Sequence, residues 1–167
     1  MFTIGVLSDT HGFYDPRIAT HLGMCNEIWH AGDIGDYKVI VKLHAIAPVV
    51  AVYGNIDGSD IRSRFPAHQR HIREGVDIWM THIGGYPGNY DTRVKPDISE
   101  DPPGLFISGH SHILKVMPDK GLGFLHINPG AAGRAGLHQL RTLVRFQIEQ
   151  GRIANLDVIE LGPRSRG

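Results

Sequence analysis

Side chains of the kinds that bind metal ions follow five short apolar runs in this sequence. They are Asp9, His11, Asp33, Asn55, His82, His110 and His112. This mixed oxygen and nitrogen set, which has no thiolate, suits Mn, Fe, Zn, Ni or Co better than Ca or a structural zinc. Seven ligands suffice for two ions if one carboxylate bridges them, and two ions about 3.5–4 Å apart activate water against a phosphoryl group. The residue types therefore indicate hydrolysis of a phosphate ester.

The apolar runs predict the elements that position these side chains. Six runs of strand length predict buried strands at 3–7, 27–30, 49–52, 76–80, 105–108 and 122–127. Two segments predict helices: 15–23, with Asp15 as the cap and Pro16 in the first position, and 36–47, with an apolar face. A β-α-β-α-β order favours parallel strands with a ligand crevice at their carboxyl ends. We therefore expect the seven side chains to converge on one rim.

The second half of the chain has a different character. Turn signals at Glu74-Gly75, at 119–121 and at Gln150-Gly151 predict hairpins between extended segments. Antiparallel strands would then complete a mixed sheet or a pair of sheets. We expect residues 1–161 to form a single domain and residues 162–167 to form a short polar tail.

Composition and charge narrow the classes of function. The 167 residues are 41% hydrophobic and 20% charged, as in ordinary globular proteins, and 17 basic residues balance 17 acidic ones. No overall field therefore attracts nucleic acid or an anionic membrane. The single Cys25 cannot form an intrachain disulfide, and the first apolar run is too short for a signal peptide or a membrane span. We expect a cytoplasmic protein that binds a small substrate. The apolar run at 122–127 could form an interface between two copies of the chain, so a homo-oligomer is an alternative to a monomer.

Each ligand candidate also has an ordinary structural interpretation. Asp9 could cap a helix, Asp33 and Asn55 could be turn residues beside glycine, and His82 could be a satisfied polar group. Taken singly, each residue favours that interpretation. Five separate strand ends carrying such residues by accident are much harder to accept, so the metal interpretation is preferred for the set.

The other histidines divide into two groups. His30 and His126 each end a strand next to a motif, so they are candidates for orienting a ligand from behind. The remaining five are expected to be surface or partly buried groups: His21, His44, His68, His71 and His138.

The ordered series D-x-H, G-D, G-N-x-D, a lone histidine after a strand, and G-H-x-H resembles the calcineurin-like metallophosphoesterase superfamily. Its spacing is similar to that of the compact prokaryotic phosphodiesterase branch over residues 6–136, and "INPGAAG" at 127–133 resembles a late Asn-Pro-Gly turn of that branch. The resemblance implies the α/β metallo-dependent phosphatase fold, a four-layer sandwich of two facing mixed β-sheets flanked by helices.

The resemblance also implies how the ligands divide between two divalent transition-metal ions, with Mn preferred over Fe, Zn, Ni or Co. The first ion would take Asp9, His11, Asp33 and His112, and the second would take Asp33, Asn55, His82 and His110. Asp33 would bridge the ions, a hydroxide between them would attack phosphorus, and Asn55 would help to stabilise the developing charge. If His110 and His112 lie in an extended segment, they are about 6.5–7 Å apart, which independently favours binding to different ions.

The sequence departs from the family pattern at positions that concern proton transfer. Many relatives have a histidine directly after Gly-Asn, but here Ile56 follows Asn55. The general acid is therefore open between Asp57, His11 and solvent, and Asp57 could equally be a structural hydrogen-bond acceptor. His82 also lacks the second histidine that many relatives place two residues later.

A segment rich in proline and glycine at 84–104 stands where relatives have a clearer helix. Its prolines limit any helix to a short piece. Either this is a substrate-facing loop in which Tyr86, Tyr90 or Arg93 contacts the phosphate or the leaving group, or it is a surface crossover without ligand contact. The sequence alone slightly favours the crossover.

The leading hypothesis is a dinuclear metal-dependent phosphodiesterase acting on a small soluble phosphate ester. A phosphomonoesterase on the same site is an alternative, whereas a nuclease would need a basic groove for which the neutral charge gives no sign. The third alternative is a non-catalytic interaction scaffold, because the superfamily includes a retromer subunit that mainly binds partners. The complete ligand set favours chemistry, and a large exposed apolar patch would favour the scaffold.

Overall fold

The computed structural model describes residues 1–165. In chain order the elements are β1 (Phe2–Leu7), α1 (Arg17–Leu22), β2 (Glu27–His30), α2 (Tyr37–His44), β3 (Val49–Ala51), α3 (Ser59–Arg64), β4 (His68–Arg73), β5 (Val76–Thr81), β6 (Gly85–Tyr86), β7 (Asn89–Tyr90), α4 (Lys95–Glu100), β8 (Leu105–Ile107), β9 (Lys115–Asp119), β10 (Phe124–Asn128), β11 (Leu140–Glu149) and β12 (Arg152–Pro163). Within residues 1–165, no helix has the length and apolar character needed to cross a membrane.

Ten of the strands form two five-stranded sheets. Sheet 1 has the order β12-β11-β1-β2-β3, and sheet 2 has the order β4-β5-β8-β10-β9. In sheet 1, β1, β2 and β3 are parallel, while β11 and β12 are antiparallel to their neighbours. In sheet 2, β5, β8 and β10 are parallel, and β4 and β9 add antiparallel edges. All three predicted hairpins are confirmed, and the predicted pair of mixed sheets is present.

The two sheets face each other across a shared core. Buried side chains from both sheets pack there, among them Val6, Trp29, Ile78, Ile107 and Phe146. Removing each such side chain from water contributes about 1.5–3 kcal/mol, so this layer is a main source of stability. It also fixes the distance between the strand ends of one sheet and those of the other.

Two further apolar clusters cover the outer faces of the sheets. On sheet 1, Ile18 of α1, Leu43 of α2 and Ile61 of α3 pack with strand residues. On sheet 2, Ile98 of α4 packs with Phe106. The order is therefore helices, sheet 1, sheet 2 and helix, which confirms the four-layer α/β sandwich.

The first helix is shorter than predicted. It begins at Arg17, and Pro16 occupies the N-cap position. The Asp15 side chain accepts from the backbone N–H of Arg17, as a cap would, but it also pairs at 2.7 Å with the buried guanidinium of Arg141 on β11. Asp15 therefore ties α1 to sheet 1. By contrast, Asp36 is the N-cap of α2 and accepts from the N–H of Lys38.

The end of the chain also differs from expectation. Strand β12 continues to Pro163, because Gly162 pairs with Arg141 in sheet 1. The first two residues of the predicted tail therefore belong to the sandwich. The last two residues of that tail, 166 and 167, lie outside the described residues.

Candidate metal centre

The ligand candidates lie just after the carboxyl ends of five parallel strands. Asp9 and His11 follow β1, Asp33 follows β2, and Asn55 follows β3, all in sheet 1. The remaining three, His82 after β5 and His110 and His112 after β8, belong to sheet 2. The structure brings all seven side chains together, although the rim is shared by two facing sheets rather than belonging to one.

Five of these residues have a left-handed backbone conformation. The φ angles are 55° for Asp9, 46° for His11, 54° for Asp33, 72° for His110 and 62° for His112. Residues other than glycine rarely adopt this region, and such strain clusters at functional sites. The premise that His110 and His112 lie in an extended segment was therefore wrong, because the chain turns at both residues.

The first group of ligands combines two residues of sheet 1 with one of sheet 2. The Nε2 atom of His112 lies 3.1 Å from Oδ1 of Asp9, and Nε2 of His11 lies 3.9 Å from the same oxygen. One ligand atom from each of these residues falls within 4.8 Å of the other two. We call Asp9, His11 and His112 the first cluster.

The second group combines one residue of sheet 1 with two of sheet 2. The Nε2 atom of His82 lies 3.2 Å from Oδ2 of Asp33, and His110 completes a group whose ligand atoms also fall within 4.8 Å of one another. The side-chain oxygen of Asn55 lies 3.1 Å from Nδ1 of His110. We call Asp33, His82 and His110 the second cluster, with Asn55 beside it. His110 and His112 thus fall into different clusters despite their turned backbone.

Asp33 lies between the two clusters. Its Oδ2 atom is 3.5 Å from Nε2 of His11 and 3.2 Å from Nε2 of His82. Its Oδ1 atom accepts the backbone N–H of Ile56 at 3.1 Å, which fixes the orientation of the carboxylate. Gly54 leaves the necessary space, because a Cβ atom there would overlap the Asp33 carboxylate and backbone.

The imidazole nitrogens test whether these residues fit a metal. Nδ1 of His82 donates to the carbonyl of Ala31 at 2.6 Å, so its buried Nε2 carries the lone pair, and that atom has no hydrogen-bond partner among the described residues. Nε2 of His11 is likewise buried without a partner. Lone pairs and carboxylate oxygens that face one another repel unless a cation lies between them. The donor set therefore fits metal ions.

The two buried carboxylates make the site favourable for bound cations, either protons or metal ions. Burial opposes ionisation of Asp9 and Asp33, yet the nearby imidazoles of His11 and His112 beside Asp9, and of His82 beside Asp33, hold the pKa of both carboxyls below its usual value. The nearby Asp9 carboxylate raises the pKa of His11, and Asp33 and Asp9 raise the pKa of His82 against the effect of burial. Protons and metal ions thus compete for the same nitrogens, so metal affinity should fall in acid.

Residues behind the ligands hold their loops in place. Ser8 donates from Oγ to Oδ2 of Asp9 at 2.6 Å. Asn128, the first residue of the Asn-Pro-Gly turn, donates from Nδ2 to the carbonyl of Gly109 and to Oγ of Ser111, both at 3.0 Å. The sequence did not identify Ser8 or Asn128 as supporting residues, and only the late Asn-Pro-Gly motif pointed towards the second.

Asn128→Asp is expected to weaken metal binding by about 10–100-fold, as the loss of partners behind a ligand does. The change replaces two N–H donors with a carboxylate oxygen that faces two acceptors, which would release the loop carrying His110 and His112. Calorimetric titration with Mn²⁺ measures the effect. Asn155→Asp, the same change at an exposed site on β12, is the control and should bind metal like the wild type. Unchanged affinity in Asn128→Asp would show that the loop does not need this support.

The two histidines proposed to stand behind the ligands differ in their contacts. The fully buried His30 accepts the N–H of Gly32 at Nδ1, so its Nε2 donates to Oγ1 of Thr10 at 3.0 Å. It therefore joins the loop after β1 to the loop after β2. Burial lowers the pKa of His30 to about 4, so the ring is neutral at pH 7. His126 instead bonds the carbonyl of Phe106 and makes no hydrogen bond to a ligand candidate within residues 1–165.

His126 should make the stability of the protein sensitive to acid. Burial lowers its pKa to about 4 from a usual 6.5, so the unfolded chain binds the proton more tightly. Stability is therefore unaffected above pH 6.5, falls as the pH drops from 6.5 to 4, and levels off below that. The difference in unfolding free energy between wild type and His126→Leu should shift by roughly 3 kcal/mol over this window. Urea denaturation of the metal-free proteins between pH 4 and 7 measures it, and a constant difference would contradict the assignment.

Asp57 has the contacts of a structural carboxylate. Oδ2 accepts the backbone N–H groups of Ile34 and Gly54 at 3.1 and 2.8 Å, and Oδ1 accepts that of Gly35 at 2.9 Å. These three bonds join the loop of Asp33 to the loop of Asn55. Of the two roles that the sequence leaves open for Asp57, the geometry favours the acceptor over the general acid.

Two of the cavities that border the second cluster are lined in part by the segment 84–104. The larger, about 380 Å³, is lined by Tyr86, Tyr90, Lys115 and His126 and reaches His110; we call it the tyrosine cavity. The smaller, about 260 Å³, is lined by Tyr53, Arg62, His68 and Arg93 and reaches Asn55 and His82; we call it the arginine cavity. The segment 84–104 contributes to both, so the geometry favours the substrate-facing interpretation of this segment over the plain crossover.

Comparison with known proteins agrees with this architecture. Residues 2–151 match a family described as the calcineurin-like phosphoesterase superfamily domain. A probable metallophosphoesterase of Methanocaldococcus jannaschii is 30% identical over 166 residues, covering 94% of this chain and 81% of that protein.

Solved structures share the fold at lower identity. An archaeal protein described as a novel phosphodiesterase has a TM-score of 0.74 and 22% identity, over 96% of this chain and 100% of its own. Vps29 of Entamoeba histolytica, in a complex with Zn²⁺, has a TM-score of 0.74 and 15% identity, over 98% of this chain and 100% of its own. With its two facing mixed sheets and its match over residues 2–151, the chain belongs to the calcineurin-like phosphoesterase superfamily and has the metallophosphatase fold.

Proposed function

We propose that this protein is a dinuclear metal-dependent phosphodiesterase that hydrolyses a small phosphate ester. The observation that carries the proposal is the position of Asp33, whose Oδ2 atom faces a histidine of each cluster. The first cluster with Asp33 would hold one ion, and the second cluster with Asn55 would hold the other. Manganese is the preferred ion, with Fe, Zn, Ni or Co as alternatives, because the ligands are imidazoles and oxygens without thiolate.

Two metal ions held here would supply Lewis-acid activation of water and neutralisation of phosphoryl charge. The chain contributes the geometry. Ser8, Ile56 and Ala31 fix the carboxylates of Asp9 and Asp33 and the ring of His82 by hydrogen bonds. These groups therefore need little reorganisation during the reaction, which is how preorganised sites lower a barrier. The Asn55 amide lies beside the second cluster, where it can donate to a phosphoryl oxygen.

The cavities support a diester rather than a monoester. A phosphate diester has two organic substituents, and the tyrosine and arginine cavities both begin at residues of the second cluster or at Asn55. A monoester would fill one of them only. His11 and solvent remain as proton donors to the leaving group. A substituent that leaves readily as an anion would need little help from either of them.

Metal content and hydrolysis test the proposal together. The manganese-loaded protein should bind about two equivalents of metal and should hydrolyse bis(4-nitrophenyl) phosphate faster than 4-nitrophenyl phosphate. Exhaustive chelation should abolish hydrolysis, and added Mn²⁺ should restore it. Less than one equivalent of metal together with undiminished hydrolysis after chelation would overturn the proposal. Faster cleavage of the monoester would leave the metal centre in place but make the protein a monoesterase.

A protein-interaction scaffold is the second candidate, and exposed apolar side chains favour it. Ile113 and Leu137 are 62% and 97% exposed, and both line a third cavity, to which His110 and His112 also contribute. Contiguous exposed apolar patches larger than a few hundred Å² commonly mark interaction surfaces. The similarity to Vps29 agrees with such a role at the level of the fold. A scaffold without chemistry would show no metal-dependent hydrolysis of either ester.

A further inference from the structure

The arginine cavity contains a positive charge that no acidic group balances. Among residues 1–165, no carboxylate lies within 4.0 Å of the Arg62 guanidinium, and none of the side chains that line the cavity is acidic. Arg93, across the cavity, pairs with Asp91 at 3.1 Å. The cavity therefore carries about one net positive charge directly beside the second cluster.

Arg62 is held in place although it is exposed. Its Nε donates to the carbonyl of Asp57 at 2.6 Å, and its Nη2 lies 3.4 Å from the carbonyls of Gly54 and Asn55. Its guanidinium also stacks on the ring of Tyr53 at 4.4 Å. Most surface arginines lose side-chain entropy when they bind a ligand. The internal contacts of Arg62 already order its side chain, so ligand binding would cost less entropy here. A fixed guanidinium with unused N–H donors is suited to an oxyanion.

The position of the cavity connects this charge to the reaction site. Asn55 and His82 line the cavity together with Arg62 and Arg93. A phosphoryl group at the second cluster would therefore have one substituent entering this cavity. By contrast, the tyrosine cavity offers aromatic rings, and its lining contains one cation, Lys115, and one carboxylate, Asp91, so it carries no net charge; Nζ of Lys115 lies 4.4 Å from the centre of the Tyr86 ring. The two cavities thus suit substituents of different chemistry.

The geometry points to a substrate in which one substituent of the phosphate ester carries a second anionic group, a carboxylate or a phosphate, bound by Arg62 and Arg93. This inference rests on the proposed function and names the substrate class of the same site. The other substituent occupies the tyrosine cavity and is neutral or aromatic. Neither arginine takes part in bond breaking; both select the substrate.

Binding of phosphonates tests the inference without depending on turnover. The probes have three or five carbons and end in a carboxylate, in the isosteric carboxamide, or in a second phosphonate. Calorimetry on the manganese-loaded protein should show the carboxylate or the bisphosphonate binding about tenfold more tightly than the carboxamide, as expected for charge-assisted hydrogen bonds. The tighter of the two anions identifies the natural group.

Variants at the arginine cavity sharpen the test. Asp91→Asn releases Arg93 from its ion pair and should increase the preference for the anion. Combining Asp91→Asn with Arg93→Gln removes the guanidinium at constant local charge and should reduce the preference about threefold below that of wild type. Arg152→Gln, in the exposed β11–β12 hairpin that lines neither cavity, should leave the preference unchanged.

The outcomes separate this inference from the proposed function. Hydrolysis of diesters with equal affinity for the anionic probes and the carboxamide would overturn the inference and leave the phosphodiesterase. Selective binding of the anions without any metal-dependent hydrolysis would overturn the function and leave the anion site. A preference that Arg152→Gln lowers while the double variant keeps it would also overturn the inference, because the preference would then follow the overall charge, which only Arg152→Gln changes.

Discussion

Asp33→Asn is expected to lower diester hydrolysis by at least about 10³-fold, because it removes the negative charge on which a two-ion site depends. One oxygen of Asp33 lies 3.5 Å from Nε2 of His11 and 3.2 Å from Nε2 of His82. Among the described residues, no other carboxylate oxygen is equally close to both rings. Metal content should fall from about two equivalents to one or fewer. Hydrolysis assays and elemental analysis of the same preparation measure both effects.

A matched substitution lies three residues away. Asp36→Asn makes the same chemical change at the N-cap of α2, where asparagine caps as well as aspartate. It should leave metal content and hydrolysis unchanged. If Asp33→Asn bound two equivalents and kept its activity, the carboxylate would not join the two clusters and the dinuclear proposal would fail.

His110→Ala and His112→Ala are expected to remove different ions. His112 lies 3.1 Å from Asp9 in the first cluster, whereas His110 belongs with Asp33 and His82 in the second. Each variant should keep one tight site and lose the other, with hydrolysis reduced at least about 100-fold in both, since a direct ligand matters no less than the groups behind it. Stepwise titration with Co²⁺, followed by absorption spectroscopy, distinguishes the two sites.

The double variant provides the decisive comparison. If the two histidines serve separate ions, His110→Ala combined with His112→Ala should bind no metal tightly. If they serve one ion, the double variant should resemble either single variant and keep the second ion. The spectrum of the remaining site in each single variant should also differ, because the ligands that surround it differ.

The sequence predicted the strands that carry the site better than the elements around it. Apolar runs mark β1, β2, β3, β5 and β8 because these strands are buried in the sandwich. Strand β4 and helix α3 have polar sequences, "HQRHIR" and "SDIRSR", and only one of their residues, Ile61, is buried. Their conformation depends on pairing and packing with distant residues, which local patterns do not reveal.

The ligand residues themselves could be predicted, but not the interactions that hold them. The type and order of the seven ligand candidates are local features of the sequence. The contacts of Asn128 with Gly109 and Ser111 join segments 17–19 residues apart, and those of Asp57 with Ile34 and Gly35 span 22–23. The left-handed backbone at five ligand positions likewise follows from the folded loops. Arg62 is not distinguished from other surface arginines by the sequence, and its importance depends on the cavity it lines.

Each cluster draws its members from both sheets, and this arrangement determines the order of assembly. Asp9 and His11 meet His112 only after sheet 1 and sheet 2 have docked, and the same is true of Asp33 with His82 and His110. The unfolded chain therefore has no preformed site, so the apoprotein must fold before it can capture ions tightly. Once captured, the ions would act as clamps across the seam between the sheets. The ions should then be released at the rate at which the sandwich opens at that edge. Amide hydrogen exchange beside the clusters should be slower in the metal-bound protein than in the apoprotein.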